Sequence, residues 1–372
     1  MPDLVSQQIE KQFNLDCIDQ RRRRIFQDTG DLVLNPNALG PEFIAHFKAQ
    51  WAGKNESELK RCLSKNFPNS SLHFIAAGHL SQQSMIYLMR QEGREYLIKS
   101  SAYLGLPDAV FLNHFLMQSM AEHHPAISVP QSRLLFLESG EPIQVMEKMS
   151  GKILRQTFNE NPPVVYREQI MRKLAITLAS IHAIRGNQFG PISLSELVEK
   201  REKTGFHKTC YDYLLLNFER HLDCCIRQFR ITKQMAIDIL KLFETHQDLF
   251  KSSQTVLLHS DFVKNNLLIH QTGIISVLDW EDAIVGDPLL ELASLSLAYV
   301  ATDFNVLFRA YAQASNRQFT HIDQMTLYLY RLRFYASKLM FNDSFQQKTK
   351  SSPKANKFVV LYQQTRDALS KR

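Results

Sequence analysis

The sequence predicts an α+β protein in two lobes, a small antiparallel sheet followed by a larger, mainly helical lobe. Three patterns carry this expectation. Residues 73–149 read as short strand-like runs punctuated by turn signals. Beyond them, residues 164–184 repeat apolar side chains at the helical period. Further on, an apolar run at 256–258 delivers a polar loop, a second apolar run leaves it, and a third ends on Asp279. With 372 residues and 44% hydrophobic content, the chain is long enough to bury the cores of two lobes.

Composition narrows the function. No uninterrupted apolar run approaches the ~18 residues of a membrane span. Met1-Pro2-Asp3-Leu4 is not a basic segment leading into an apolar stretch, so a cytoplasmic protein without a secretory signal is expected. Five cysteines, with no C-x-x-C pair, suit reduced thiols better than a disulfide framework or a zinc site. The net charge of +7 has one dense cluster, Arg21 to Arg24, which reads first as a solvated helix face and second as an anion-binding or targeting element. No zinc-finger, RNP-type or heptad pattern accompanies it, so there is no specific nucleic-acid signal. Oligomeric state is not legible.

Taken in order, residues 1–70 form a helical N-terminal extension. Leu4, Ile9 and Phe13, then Phe43, Ile44, Phe47 and Trp51, recur at roughly helical spacing, interrupted by Asn35-Pro36-Asn37 and Gly40-Pro41. A further helix starts near Ser57 and stops before Phe67-Pro68-Asn69. The small lobe, residues 71–147, opens with strands at 73–77, 84–90 and 95–99, the last two joined by a turn at Glu92-Gly93-Arg94. A helix over 107–122 follows, then strands at 133–137 and 143–149 around Glu138-Ser139-Gly140-Glu141-Pro142. Residues 148–372 form the helical lobe. Its helix at 164–184 carries Ile170, Leu174, Leu178 and Ile181 on one face; 211–249 holds one or two more. Asp287-Pro288 reads as an N-cap with proline at the first helical position, opening a helix at 289–300.

The chemistry concentrates between these helices. His259-Ser260-Asp261 is followed by Asn266, and the next apolar run ends on Asp279. The pattern H-x-D-x-x-x-x-N, then an Asp one strand later, suits phosphoryl transfer. A carboxylate, Asp261, can take the proton of an acceptor hydroxyl. Asn266 and Asp279 offer the oxygen ligands that magnesium prefers. His259 reads as an orienting group for the loop. Taken alone, the segment would also suit two strands joined by a polar hairpin, with Asp and Asn serving the turn.

The segment resembles the aminoglycoside phosphotransferase and choline kinase superfamily. His259-Ser260-Asp261, Asn266, Val277-Leu278-Asp279-Trp280-Glu281-Asp282-Ala283 and Gly286-Asp287-Pro288 are similar to that family's H-G-D-x-x-x-x-N, (I/L)-D-(W/F)-(E/D) and G-D-P. The similarity covers roughly residues 73–300. Ser260 stands where the family usually has glycine, a difference that matters if the position needs a positive φ. The resemblance implies a protein-kinase-like fold using ATP and Mg2+. It implies that Lys99, at the end of Tyr96-Leu97-Ile98-Lys99, positions the nucleotide phosphates. Ser81, in the loop 78–84, would contact phosphate oxygens. Glu147 and Met149 would lie in the hinge whose backbone meets adenine. The helix at 107–122 has no carboxylate in its second turn, so the usual lysine–glutamate partner is missing there. His182 matches a packed structural histidine, and Asp287 reads as structural too.

Between Asp282 and Arg372, twelve basic residues against seven acidic ones leave about +5, an unfavourable field for a polycationic acceptor. Tyr311, Tyr328, Tyr330, Phe334 and Tyr335 would suit an aromatic cage for a quaternary ammonium, but their helical spacing suits a core better. The sequence therefore reads as an ATP- and magnesium-dependent phosphotransferase acting on a hydroxyl of a small neutral or anionic metabolite. The alternative is a nucleotide-binding pseudokinase or regulatory module. Aminoglycoside or choline kinase proper ranks lower, as does a protein kinase, since D-F-G and A-P-E are absent.

Overall fold

A computed structural model describes residues 13–29, 56–77, 84–101, 108–227, 229–251, 254–342 and 353–370. The loop at 78–83, with Ser81, and the spacing pattern at Phe43–Trp51 lie outside them. The first helices among the described residues are α1 (Leu15–Thr29) and α2 (Glu56–Asn66). Strands β1 (Ser71–Ala77), β2 (Ser84–Gln91) and β3 (Arg94–Ser101) lead to α3 (Asp108–His123), then to β4 (Ser132–Phe136) and β5 (Pro142–Glu147). These strands form one antiparallel sheet in the order β1-β2-β3-β5-β4. Gln91 pairs with Arg94, so Glu92 (φ 50°) and Gly93 (φ 78°) form a two-residue hairpin loop, whose twist requires both residues in the left-handed region.

The described parts of the stretch 1–70 divide between two cores. Leu59, Leu63 and Phe67 of the α2 segment pack with Met89, Ile98, Ile143 and Val145 under the sheet. Leu15 and Ile18 of α1 join the larger core, which also takes in Phe111 and Phe115 of α3. Arg22 corrects the expectation of a solvated basic face. It is buried, pairs with Asp19 at 3.2 Å and with Asp108 at 3.4 Å, and donates to the Ile192 carbonyl. A buried guanidinium must be paired, and these partners fasten α1 to the first residue of α3. Arg23 remains exposed, its guanidinium 4.5 Å from the centre of the Phe206 ring.

The rest is mainly helical. In order come β6 (Lys152–Ile153), α4 (Leu154–Asn159), α5 (Val164–His182), β7 (Phe189–Ile192), α6 (Leu194–Glu199), β8 (Gly205–His207), α7 (Cys210–Leu215), α8 (Phe218–Arg227) and α9 (Lys233–Thr245). Next are β9 (Val256–Leu258), β10 (Leu267–Ile269), β11 (Ile275–Val277), β12 (Ile284–Gly286), α10 (Pro288–Ala298), α11 (Ala301–Ala314), α12 (His321–Asn342) and α13 (Pro353–Leu369). Ile170, Leu174, Leu178 and Ile181 of α5 are fully buried, as their spacing requires. The stretch 211–249 holds more helices than expected. Asn217, at φ 56°, separates α7 from α8, and the Thr232 side chain accepts from Met235 N–H to start α9.

The apolar runs around the polar loop are not one hairpin. β9 pairs with β12 in a sheet ordered β8-β7-β12-β9, whereas β10 pairs with β11 and β6. The loop at 259–266 thus bridges two small sheets, which removes the simple turn explanation for its polar residues. The tyrosines suggested as a cage are largely core: Tyr311, Tyr330 and Tyr335 are buried. No described helix is long and apolar enough to cross a membrane.

Candidate active site

The bridging loop is held from below by two buried residues. His259 is wholly buried; its Nε2 lies 2.8 Å from the Leu278 carbonyl, and its Nδ1 accepts from Asp261 N–H at 3.3 Å. A carbonyl can only accept, so Nε2 carries the proton and the ring is the neutral tautomer. Glu291 of α10 accepts from His259 N–H at 3.1 Å and from Ser260 N–H at 2.7 Å. Behind it, His182 contacts Glu291 at 2.9 Å and the Tyr311 hydroxyl at 2.8 Å. α10 is set in place by Asp287, whose side chain accepts from Leu289 N–H and from the Tyr330 hydroxyl.

Hairpin register sets the next two groups. Leu267 pairs with Val277, and Leu278 N–H donates to the Asn266 carbonyl, so Asn266 and Asp279 meet at the open end of β10–β11. Asn266 Nδ2 donates to the Asp261 side chain at 2.7 Å and to its carbonyl at 3.1 Å. The Asn266 amide oxygen is thereby left for another partner.

Lys99 reaches this end from β3 and forms ion pairs with both Asp279 and Glu281. Its side chain is 4% exposed and that of Glu281 is 8% exposed. Burial pulls the ammonium down, but the two carboxylates outweigh it and hold Lys99 above the ordinary lysine value. Helix α3 supplies no carboxylate here. Asp108 is engaged by Arg22, and Glu122 accepts from Gln118. Asn113 of α3 instead donates to Gln144, the β5 residue paired with Lys99, and accepts from Trp280 N–H at 2.8 Å. The helix therefore grips the backbone that carries Asp279 and Glu281, while the charge comes from Glu281.

Four acids crowd this point. Burial raises the Asp261 carboxyl, with Asp279 adding to the effect. Burial and Asp279 push Glu281 up, to about 7, against the pull of Lys99. Asp282 is raised well above the usual range by burial and by Glu281, and its Oδ1 has no hydrogen-bond partner. One ammonium does not neutralise such a cluster, and hard oxygen donors fit a divalent cation. Among the described residues no three His, Cys, Asp or Glu side chains form a ready cage.

Above the cluster lies a cleft of about 360 Å³ between the two lobes, lined by Lys99, Asn266 and Asp279 at one end and by Glu147 and Met149 at the other. Ile86, Leu97 and Leu268 add apolar walls. Lys148 N–H donates to the Glu95 carbonyl, while the Met149 backbone has no hydrogen bond within the described chain. An apolar slot with a few convergent polar groups suits a nucleotide.

The family model described as the phosphotransferase enzyme family, APH, matches residues 78–328, about two thirds of the chain. The chain belongs to the APH family. Among solved members, aminoglycoside phosphotransferase APH(4)-Ia matches with a TM-score of 0.56 at 15% identity, over 84% of this chain and 98% of that one. A thermostable mutant of that enzyme, in ternary complex with AMP-PNP and hygromycin B, gives 0.57 at 15% identity, over 84% and 98%. The gentamicin complex of APH(2")-IIa gives 0.57 at 16%, over 83% and 96%. The fold is thus the bilobal, protein-kinase-like α+β fold of APH enzymes. Curated relatives include acyl-CoA dehydrogenase family member 11 of Mus musculus, 28% identical over 167 residues, 43% of this chain and 19% of that protein. Family member 10 of Mus musculus is 24% identical over 228 residues, 59% and 20% respectively. The chain matches about a fifth of the length of these relatives.

Membership of the APH family clarifies one departure. Ser260, where the family usually has glycine, has φ 65°. The position does use the left-handed region, and Glu291 bonding to its N–H supports a residue that pays for being there. Sequence reasoning missed Glu291, Glu281 and Asn113. Glu281 alone left a signal, being the acid of Asp279-Trp280-Glu281. The other two stand in apolar helical contexts and show their roles only through distant backbone.

Proposed function

We propose that this APH-family chain transfers the γ-phosphate of ATP to a hydroxyl of a small neutral or anionic metabolite. The observation that carries this reading is the Lys99–Asp279 ion pair, formed across 180 residues at one end of the cleft, beside the Asn266–Asp261 hydrogen bond. In the reaction Asp261 accepts the hydroxyl proton as the acceptor oxygen bonds to γ-phosphorus. The bond to the β–γ bridging oxygen breaks, and ADP leaves with the electron pair. Asn266 engages one Asp261 oxygen, leaving the other for the proton. Lys99 positions phosphates, His259 and Glu291 fix the loop, and the backbone at Glu147 and Met149 meets adenine. Ser81 has the phosphate-contacting role in this reading. Magnesium, held by Asn266 and Asp279 when bound, offsets charge on the transferring phosphates.

Two observations favour this over a pseudokinase or regulatory module: Asp261, Asn266 and Asp279 are all present, and Glu281 gives Lys99 the carboxylate that α3 lacks. Aminoglycosides, which the solved relatives bind, are disfavoured as acceptors by the excess of about five positive charges from Asp282 to Arg372. Screening hydroxyl metabolites for ADP release from MgATP tests the proposal. At least one acceptor should give turnover that EDTA abolishes. Stabilisation by MgATP with no turnover on any acceptor would instead support a regulatory module.

A further inference from the structure

Beside the catalytic loop is a second pocket, of about 300 Å³, lined by Val263, Lys264 and Asn265, by Arg155 and Phe158 of α4, and by Tyr299 after α10. Asn265 also lines the nucleotide cleft, so the two cavities adjoin at one residue. Lys264 follows Asp261 by three residues, a span of at most about 11 Å. The loop is folded tightly. Val263 N–H donates to the Asp261 carbonyl, Asn266 N–H to that of Val263, and Arg155 N–H to that of Lys264. The pocket is thus fixed to the same loop that carries the proposed base.

Its charges are unusual. The Lys264 ammonium lies 4.1 Å from the Phe158 ring centre and 4.7 Å from that of Tyr299. It has no ion pair among the described residues; Asp303, whose charge reaches it, is held by Arg167 at 2.6 Å. Arg155 is exposed and likewise makes no ion pair there. The Tyr299 ring is buried, and its hydroxyl has no hydrogen-bond partner. An aromatic box that already contains an ammonium repels a second cation and offers a held positive charge to an anion.

We propose that this pocket is an anion subsite: the acceptor carries a carboxylate or a phosphate that pairs with Lys264 and Arg155 while its hydroxyl faces Asp261. The subsite rests on the phosphotransferase reading only for its role; its capacity to hold an anion stands separately. It narrows the acceptor from neutral or anionic to anionic. Lys264 also contributes to specificity, because removing one partner of a charge pair penalises the charged ligand while a neutral one is unaffected.

The test uses the full chain as wild type, Lys264→Met and Arg155→Ala, with the cleft filled by MgAMP-PNP. Inorganic phosphate and acetate are titrated by calorimetry. At least one anion should bind the wild type, and Lys264→Met should weaken it tenfold or more, with Arg155→Ala weakening it less. Phosphate alone identifies a phosphate-bearing acceptor; acetate as well identifies a carboxylate. Equal MgAMP-PNP affinity in Lys264→Met shows that the variant is folded. In parallel, ADP release is compared for glycerol, glycerate and glycerol 2-phosphate. Anion binding that is absent, or unchanged by Lys264→Met, overturns the subsite, as does turnover of glycerol equal to that of its anionic counterparts. Lysine-dependent anion binding without turnover on any acceptor supports the subsite and counts against the transferase reading.

Discussion

Glu281, two residues beyond Asp279, supplies Lys99 with the carboxylate that helix α3 does not provide. The pair is enclosed, with side chains 4% and 8% exposed, so each partner depends on the other for compensation of its charge. Because Asn113 holds Trp280 N–H, movement of α3 would shift Asp279 and Glu281 together.

Glu281→Gln should therefore weaken MgATP binding and lower turnover by about 10- to 100-fold, about 1.4–2.7 kcal/mol. Lys99 retains Asp279, so stability should fall by less than the ~3–5 kcal/mol of a fully broken buried pair. Calorimetric titration and thermal unfolding measure the two effects. Unchanged nucleotide affinity would show that Glu281 is dispensable for placing Lys99.

Asp261→Asn and Asp279→Asn should fail differently. The first loses the carboxylate proposed to accept the proton, so turnover falls while MgATP affinity stays within about twofold. The second removes the charged oxygen proposed to hold magnesium, so affinity and turnover both drop. Asp279 has φ 65°, a conformation asparagine tolerates, so this variant reports charge rather than backbone strain. Nucleotide titration beside an ADP-release assay separates the two losses; wild-type turnover in Asp261→Asn on an accepted substrate would refute its role.

Ser260→Gly relieves a left-handed serine at a cost of greater freedom in the unfolded chain. The αL penalty of roughly 1–2 kcal/mol exceeds the entropy term of roughly 0.5–1 kcal/mol. Stability should rise by up to about 1 kcal/mol with the Glu291 hydrogen bonds kept, as read by urea denaturation. A loss of stability would mean that the serine hydroxyl itself holds the loop.

Asp287 gives a pH dependence with a definite sign. Burial raises its carboxyl above the usual aspartate range, against the opposing effects of the Leu289 N–H, Arg317 and the Tyr330 hydroxyl. The folded state then binds this proton more tightly than the unfolded one. Its contribution to stability is full below the ordinary aspartate value and is lost as pH rises through the folded one. Asp287→Asn keeps an N-cap acceptor and removes that slope. The melting-temperature difference, variant minus wild type, should become more positive from pH 4 to pH 7; a flat difference would contradict the assignment.

Much of this protein was written locally. The strand pattern at 73–149, the buried face of α5 and the Asp287-Pro288 helix start follow from periodicity, turn residues and capping, which act over a few neighbours. The spacing from His259 to Asp279 also marked the residues that the loop brings together, because hydrogen bonds within the loop limit which side chains can stand a few residues apart. Tertiary structure alone decided the rest. It placed β9 and β10 in different sheets, carried Lys99 to Glu281, buried Arg22 against Asp108 and set Glu291 beneath Ser260. Each of these is a charge or a backbone group that must find a partner once water is excluded, and the partner lies tens to hundreds of residues away. No local pattern encodes such a pairing; packing brings the groups together, and the cost of leaving them unpaired in the interior keeps them there.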